Sequence, residues 1–247
     1  MSLTDDMTNA ICGKACLIVG ATGGLGRRLS LAMAESGARL FLMARNLDDL
    51  EVVRELAASH GAEVHVAATD ATDSAAVERS FDRAVELLGR IDILINCQGL
   101  AQIEDFTNLT DAAWERVLAV NLSSVFYCSR LAFSRMKAQG GGQIVNIGSQ
   151  ASLVGARKAA GYLAVKAGIE GLGRALWHEG RDLGIRVTTV CPGAMDTRMR
   201  WEATPEMPRD ALLDPREVAH LIRHLLAMPT LSMAEPVVPV RGPRMPE

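Results

Sequence analysis

The sequence predicts an α/β fold: a doubly wound parallel β-sheet of about seven strands with helices on both faces. Three observations predict it. Seven short apolar runs alternate with longer stretches of helical periodicity, the order expected of a parallel sheet with right-handed crossovers. Most of the runs lack polar alternation, as strands covered on both faces do. A glycine-rich turn joins the first run to the first helical stretch.

In chain order, the expected strands cover residues 15–19, 40–43, 64–67, 91–95, 144–147, 187–190 and 237–240. The expected helices cover 24–36, 47–59, 73–89, 111–138, 161–183 and 215–227. Asp73 and Thr110 are placed to accept hydrogen bonds from free amides at two helix starts, and Pro215, after Asp214, suits a first helical position. Gly37, Gly61, Gly89, Gly140 and Gly184 stand where helices should stop. No repeat, low-complexity tract or linker divides the 247 residues, so they read as one domain with a flexible N-terminal extension over 1–12.

Composition excludes several classes. A net charge of −3 gives no reason to expect a nucleic-acid partner. No uninterrupted apolar run reaches the roughly 18 residues that span a bilayer, so no membrane partner is expected. The polar, acidic start lacks the basic and apolar regions of a signal peptide. Cys12, Cys16, Cys97, Cys128 and Cys191 are an odd, scattered set without a CxxC pair, which fits reduced thiols in the cytoplasm. His220 and His224 lie four apart without an evident third ligand, so they read as surface or interface residues and no metal is expected.

The turn after the first strand reads Gly20-Ala21-Thr22-Gly23-Gly24-Leu25-Gly26. Strand, glycine turn and helix in that order form a Rossmann-type dinucleotide site. The glycines let backbone N–H groups approach a pyrophosphate, and the helix N-terminus adds its positive end. Gly20, Thr22, Gly23, Gly24, Leu25 and Gly26 are the candidate cofactor contacts there. The second strand runs into Ala44-Arg45, with no acid before Asp48. A guanidinium at this place suits a ribose 2′-phosphate, so Arg45 favours NADP(H), with NAD(H) as the alternative.

Tyr162 and Lys166 are four apart in a helical stretch and share a face. A free tyrosine titrates near 10. A neighbouring ammonium stabilises the phenolate and would bring the group towards the pH at which a general acid and base works. Ser149 follows the fifth strand, at the sheet edge where catalytic groups of such folds gather, and its hydroxyl can hydrogen-bond a carbonyl oxygen as charge develops there.

Gly20…Gly24-Leu25-Gly26, Asp70, Asn96-Cys97-Gln98-Gly99, Asn121, Ser149, Tyr162…Lys166 and Pro192-Gly193…Thr197 stand in the order of the short-chain dehydrogenase/reductase family. The chain resembles its single-domain branch over nearly its whole length, roughly residues 13–240. The resemblance implies a ketone and a secondary alcohol interconverted by hydride transfer, with Tyr162 as proton donor and acceptor and Ser149 stabilising the substrate oxygen. It implies that Lys166 binds the nicotinamide ribose, and that Asn121 holds a water linking Lys166 to solvent. Asp70 and the Ala71 amide would meet the adenine. Asn96, following the fourth strand, and Gly99 would line the adenosine ribose side. Pro192, Gly193, Met195 and Thr197 would hold the carboxamide and phosphates. Gln150 and Trp201 would join Ser149 and Tyr162 around a small-molecule substrate. It further implies a homo-oligomer, tetramer or dimer, pairing the helices near 111–138 and 161–183, with Phe133 and Trp177 as interface or core residues.

Four departures stand out. Val19 precedes the first glycine where threonine is usual, Cys97 and Gln98 replace the middle pair of Asn-Asn-Ala-Gly, and the end at Val240-Arg241-Gly242-Pro243 lacks the common Asp-Gly-Gly. Gly20, Gly23 and Gly26 also fit the spacing of the extended branch of epimerases and dehydratases, against which length and Pro192-Gly193 argue. The competing readings are therefore an NAD(H)-dependent alcohol dehydrogenase, an epimerase or dehydratase, and a non-catalytic NADP-binding regulator.

Overall fold

The computed structural model describes residues 10–206, 208–228 and 237–241. Seven strands form one sheet: β1 (Ala15–Val19), β2 (Arg39–Ala44), β3 (Val64–Ala68), β4 (Ile93–Asn96), β5 (Gly142–Ile147), β6 (Ile185–Pro192) and β7 (Val237–Val240). They are all parallel, in the order β3-β2-β1-β4-β5-β6-β7. The chain winds outward from β1 to β3 and then returns to place β4 beside β1. Val19 pairs with Met43 on one side and Asn96 on the other, so the reversal opens a crevice just past these residues.

The helices are α1 (Gly24–Glu35), α2 (Leu47–Ala58), α3 (Ser74–Leu88), α4 (Asp111–Leu118), α5 (Ser124–Gln139), α6 (Gln150–Val154), α7 (Ala160–Gly180), α8 (Arg198–Ala203) and α9 (Pro215–Ala227). All five residues of β1 are buried, as a strand covered on both faces requires. One core unites Leu29 and Met33 of α1, Leu50 and Val53 of α2, and Val218 and Ile222 of α9 with Ile18, Leu40 and Ile95 of the sheet. The opposite core unites Val77 and Phe81 of α3 and Cys128 and Ala132 of α5 with Leu17, Phe41 and Leu94. Alternate residues of each strand thus serve opposite layers. The expected caps form: Asp73 accepts from Ala75 and Ala76 N–H, Thr110 from Ala113 N–H and Asp214 from Arg216 N–H. The five helix-stopping glycines all adopt positive φ.

The boundaries differ at instructive places. The expected fourth strand over 91–95 is Ile93–Asn96, because the Asp92 carboxylate turns inward to accept the Ala15 N–H at 3.0 Å before pairing begins. The expected helix 111–138 contains a π-helical segment, Ala119–Ser123, between α4 and α5. The expected helix 161–183 ends at Gly180 and finishes as a 3₁₀ turn, Arg181–Leu183. The short helices α6 and α8 lie outside the expected helical stretches. Ile11, placed in the flexible extension, is fully buried, so the chain is anchored before residue 12; residues 1–9, and Gly242 onward, lie outside the described residues. Phe133 and Trp177 pack, partly buried, against the second core.

By length and composition alone, one helix among the described residues, Asp111–Gln139, is apolar enough to cross a bilayer. Its residues Val125, Cys128, Ala132 and Met136 are buried, the face a core helix turns to its sheet.

Arg186 of β6 is buried and closes the far end of α9. Its guanidinium donates to the carbonyls of Met228 and Leu225 at 2.9 Å each and of Leu226 at 3.2 Å, and contacts the Gln143 side chain. These are carbonyls that a helix end leaves without partners. Replacing Arg186 with methionine keeps the volume but strands the Met228 and Leu225 carbonyls, while Leu226 keeps the Gln143 amide at 3.1 Å, at a cost of about 2–3 kcal/mol. The expected result is a melting temperature lower by roughly 5–10 °C with cofactor affinity unchanged, checked by thermal unfolding and nucleotide titration.

Candidate active site

The residues marked in the sequence gather at the carboxyl edge of the sheet. Gly20, with φ +79, leaves β1 in a conformation that disfavours a side chain, and a Cβ there would stand 2.7 Å from the Gln98 amide nitrogen. A Cβ on Gly26 would stand 2.1 Å from the Gly20 carbonyl oxygen. The turn can therefore fold under its own helix only with glycine at both places. The first helical bond of α1 runs from Arg27 N–H to Gly23 at 2.9 Å, so the amides of Gly24, Leu25 and Gly26 have no acceptor within the helix. Thr22 is half-buried and Gly23 exposed. The Leu25 side chain is in the core, so only its main chain can face a ligand.

Arg45 is exposed just past β2, where Asn46 caps α2. Asp70, past β3, accepts from the Thr72 amide at 2.9 Å and the Thr72 hydroxyl at 2.7 Å. These bonds, and then the Arg45 charge, hold its carboxyl below the usual carboxylate range. Ala71 is half-buried in the same turn.

Asn96 departs from expectation. It is the last residue of β4, and its buried amide donates to the Ser129 hydroxyl at 3.0 Å and the Asn146 side chain at 2.9 Å. Its side chain thus ties β4 and β5 to α5. Gln98 folds inward as well, donating to the Ser124 hydroxyl at 3.1 Å. Burial pushes the Cys97 thiol up to about 12, so this departure from the usual motif adds an inert thiol.

Asn121 lies in the π-helical segment and is fully buried. Its amide donates to the Val117 carbonyl at 3.1 Å and the Leu100 carbonyl at 3.2 Å, and its oxygen accepts the Leu100 N–H at 3.2 Å. A Cβ on Gly99 would stand 2.8 Å from that oxygen and 3.6 Å from the Lys166 ammonium. Asn121 and Lys166 thus converge on one glycine. Lys166 is 4% exposed, donates to the Ile147 carbonyl at 2.8 Å and stands 5.7 Å from the centre of the half-buried Tyr162 ring. Two residues past Ile147, Ser149 caps α6: its Oγ accepts the Ala151 N–H at 3.2 Å, which leaves its own proton available to a ligand. Gln150 is buried beside it.

The segment past β6 closes the crevice from above. Pro192 ends the strand, Gly193 N–H reaches Val240 at 2.7 Å, and Met195 forms an isolated bridge with Leu213. Thr197 caps α8, and its methyl would stand 2.6 Å from a Cβ on Gly24, so this segment rests on the glycine turn. Trp201 donates its indole N–H to Asp196 at 2.7 Å, under the Arg209 guanidinium. Arg200, on α8, carries no signal in the sequence that sets it apart from its neighbours. Burial pushes its guanidinium below the usual value, and the Tyr162 phenol acts in the opposite sense, which places the two near each other. Among the described residues no group of three or more His, Cys, Asp or Glu side chains could hold a metal ion.

A dinucleotide fits these residues. The glycine turn leaves the amides of Gly24, Leu25 and Gly26 free, and Gly99 keeps the space before Asn121 and Lys166 open. The family model described as short chain dehydrogenase matches residues 14–208. The D-threitol dehydrogenase of Mycolicibacterium smegmatis is 34% identical over 211 residues, which is 85% of this chain and 81% of that one. The cyclohexanol dehydrogenase of an Acinetobacter species is 31% identical over 227 residues, 90% of each chain. A variant of actinorhodin polyketide ketoreductase, crystallised with NADPH, superposes with a TM-score of 0.87 at 27% identity, covering 93% of this chain and 96% of that one.

Proposed function

The chain belongs to the short-chain dehydrogenase family, oxidoreductases that act on CH–OH groups of alcohol and ketone substrates, and from that premise we propose an NADP(H)-dependent enzyme in which Tyr162 moves the proton. The observation that carries the reading is the buried Lys166 ammonium, fixed by the Ile147 carbonyl, 5.7 Å from the Tyr162 ring. When bound, the dinucleotide supplies or accepts the hydride at the carbonyl carbon. In the direction of reduction, Tyr162 Oη gives its proton to the substrate oxygen, and the Lys166 charge stabilises the anion left behind. Ser149, its acceptor side engaged by the Ala151 N–H, directs its own O–H at the same oxygen. Asn121 locks Leu100 from both sides, which holds Gly99 open for the ribose and lines the route by which Lys166 reaches solvent. In the oxidative direction each proton step reverses.

Gly20, Thr22, Gly23, Gly24, Leu25 and Gly26 form the turn that cradles the pyrophosphate, which the amides of Gly24, Leu25 and Gly26 are free to meet, Asp70 and Ala71 meet the adenine, and Pro192, Gly193, Met195 and Thr197 hold the nicotinamide end. Gln150 and Trp201 border the small-molecule substrate. The NADPH bound to the actinorhodin ketoreductase supports the cofactor class, and exposed Arg45, just past β2, supports the 2′-phosphate. Replacing Arg45 with aspartate should move the preference for NADPH over NADH by at least tenfold towards NADH; nucleotide titration of both variants checks it, and an unmoved ratio rejects the assignment. Initial rates on a panel of cyclic, acyclic and polyhydroxy ketones and alcohols test the activity itself, and unchanged net redox in every product would favour the epimerase or dehydratase reading.

The reading includes a cytoplasmic homo-oligomer, supported by free thiols and by an apolar face where α5 meets α7. There Leu122, Phe126, Tyr127 and Leu172 line a hollow of about 480 Å³, and Phe126 is 45% exposed.

A further inference from the structure

We infer that Glu170 is a positioning residue for the Ser149 turn and acts through Ser152, an inference that rests on the role proposed for Ser149. Tyr162, Lys166 and Glu170 recur every four residues of α7 and so share one face. The first two belong to the site; the third has no part in the chemistry, yet it is 4% exposed. A buried carboxylate is costly unless it is hydrogen-bonded or paired. Its ion pair is poor: Arg174 stands 3.9 Å away with its side chain 54% exposed, the class of contact that contributes little. The close partner is the Ser152 hydroxyl, in short contact with Glu170 Oε1. The same hydroxyl lies 2.5 Å from the Ser149 carbonyl oxygen. That hydroxyl has a single proton, which the two acceptor oxygens share, so Glu170 is one hydroxyl away from the main chain of Ser149.

That link is needed because α6, Gln150–Val154, is a single turn. Helices so short do not hold their place by their own bonds, so the direction of Ser149 depends on what anchors them. Two side chains from one face of α7 supply the anchors. Lys166 holds the Ile147 carbonyl at 2.8 Å, and Glu170 holds Ser152. Between the two, Gly148 fits closely against β6: a Cβ there would stand 2.6 Å from Cys191 Sγ. The burial that pushes the Cys191 thiol up to about 12 is reinforced by the Glu170 charge, which places the carboxylate in this contact as well. The stretch 147–152 is thereby fixed relative to the helix that carries Tyr162, and the hydroxyls of Ser149 and Tyr162 keep a constant relation.

Four variants test this on whichever panel compound the wild-type enzyme turns over fastest. Glu170→Met keeps the volume without an acceptor and should lower kcat about 10- to 100-fold, the range expected of a displacement near 1 Å. Its NADPH affinity should stay within twofold of wild type, and hydrogen exchange at amides 151–154 should quicken. Glu170→Gln keeps an acceptor oxygen and should recover most of kcat. Ser152→Ala should reproduce the methionine loss, and combining it with Glu170→Met should add nothing, since both remove one link. Wild-type kcat in Glu170→Met, losses that multiply in the double variant, or equal damage in glutamine and methionine overturn the inference. Should Glu170→Met not fold, Ser152→Ala read by kcat and exchange carries the test alone. Tyr162→Phe in the same assay separates the two levels: if it runs at the wild-type rate the proposed chemistry fails, and if it is inactive while Glu170→Met is unimpaired only the positioning role falls.

Discussion

Replacing Tyr162 with phenylalanine lowers kcat by about a thousandfold while leaving cofactor affinity and melting temperature as they were. The size follows from the step removed. A positioned general acid and base contributes about 10²- to 10⁴-fold, and a thousandfold loss corresponds to about 4 kcal/mol of barrier. The selectivity follows from the geometry. Phenylalanine loses only Oη, so the ring still packs 5.7 Å from the Lys166 ammonium, and Lys166 still holds the Ile147 carbonyl at 2.8 Å. The sheet edge, the Gly99 opening and the glycine turn are untouched. Steady-state rates with NADPH, beside a nucleotide titration and a thermal melt of each protein, check all three quantities. A rate equal to wild type would remove Tyr162 from the proton path. A loss of affinity matching the loss of rate would make it a binding residue.

The parts of this site that could be read from the sequence are those where one backbone requirement admits few residues. The turn between β1 and α1 is legible because Gly20 and Gly26 stand where a Cβ would strike main chain, and main chain cannot move aside cheaply. Tyr162 and Lys166 are legible because four residues of helix bring side chains together wherever that helix packs. The resemblance implies a ribose beside Asn96 just past the fourth strand, and strand ends and loop starts look alike in sequence. One residue of extra pairing turns its amide into the layer between β4 and α5. The π-helical segment around Asn121 left no trace because one extra residue in a long apolar helix barely disturbs its periodicity. Glu170 was invisible for another reason. A glutamate in a helix usually faces water, and the approach of α6, whose Ser152 is 18 positions away in sequence, together with Cys191 of β6, buries this one. The orientation of Trp201 was equally out of reach, since it is set by Asp196 and Arg209 across an irregular segment.

Replacing Gly26 with valine should weaken NADPH binding at least about 100-fold, close to 3 kcal/mol, and lower the melting temperature together with it. The new Cβ would stand 2.1 Å from the Gly20 oxygen, 2.9 Å from its carbonyl carbon and 3.0 Å from the Ala21 Cα, all main chain. Relief requires the turn to open by about 1 Å, because carbon and oxygen do not approach much closer than the 3.3 Å of their tightest weak contacts. Gly20 cannot absorb that movement, for its N–H is tied to the Met43 carbonyl at 2.8 Å and its φ is +79. The opening therefore falls on the amides of Gly24 and Leu25, the groups that with the helix end attract a pyrophosphate. Affinity and stability must fall in step, since the contact that shapes the cradle also seats α1 on β1. Fluorescence titration with NADPH, well below the melting temperature of the variant, separates a deformed cradle from an unfolded one. A folded Gly26→Val protein that binds NADPH as tightly as wild type would mean that the cofactor does not rest on this turn.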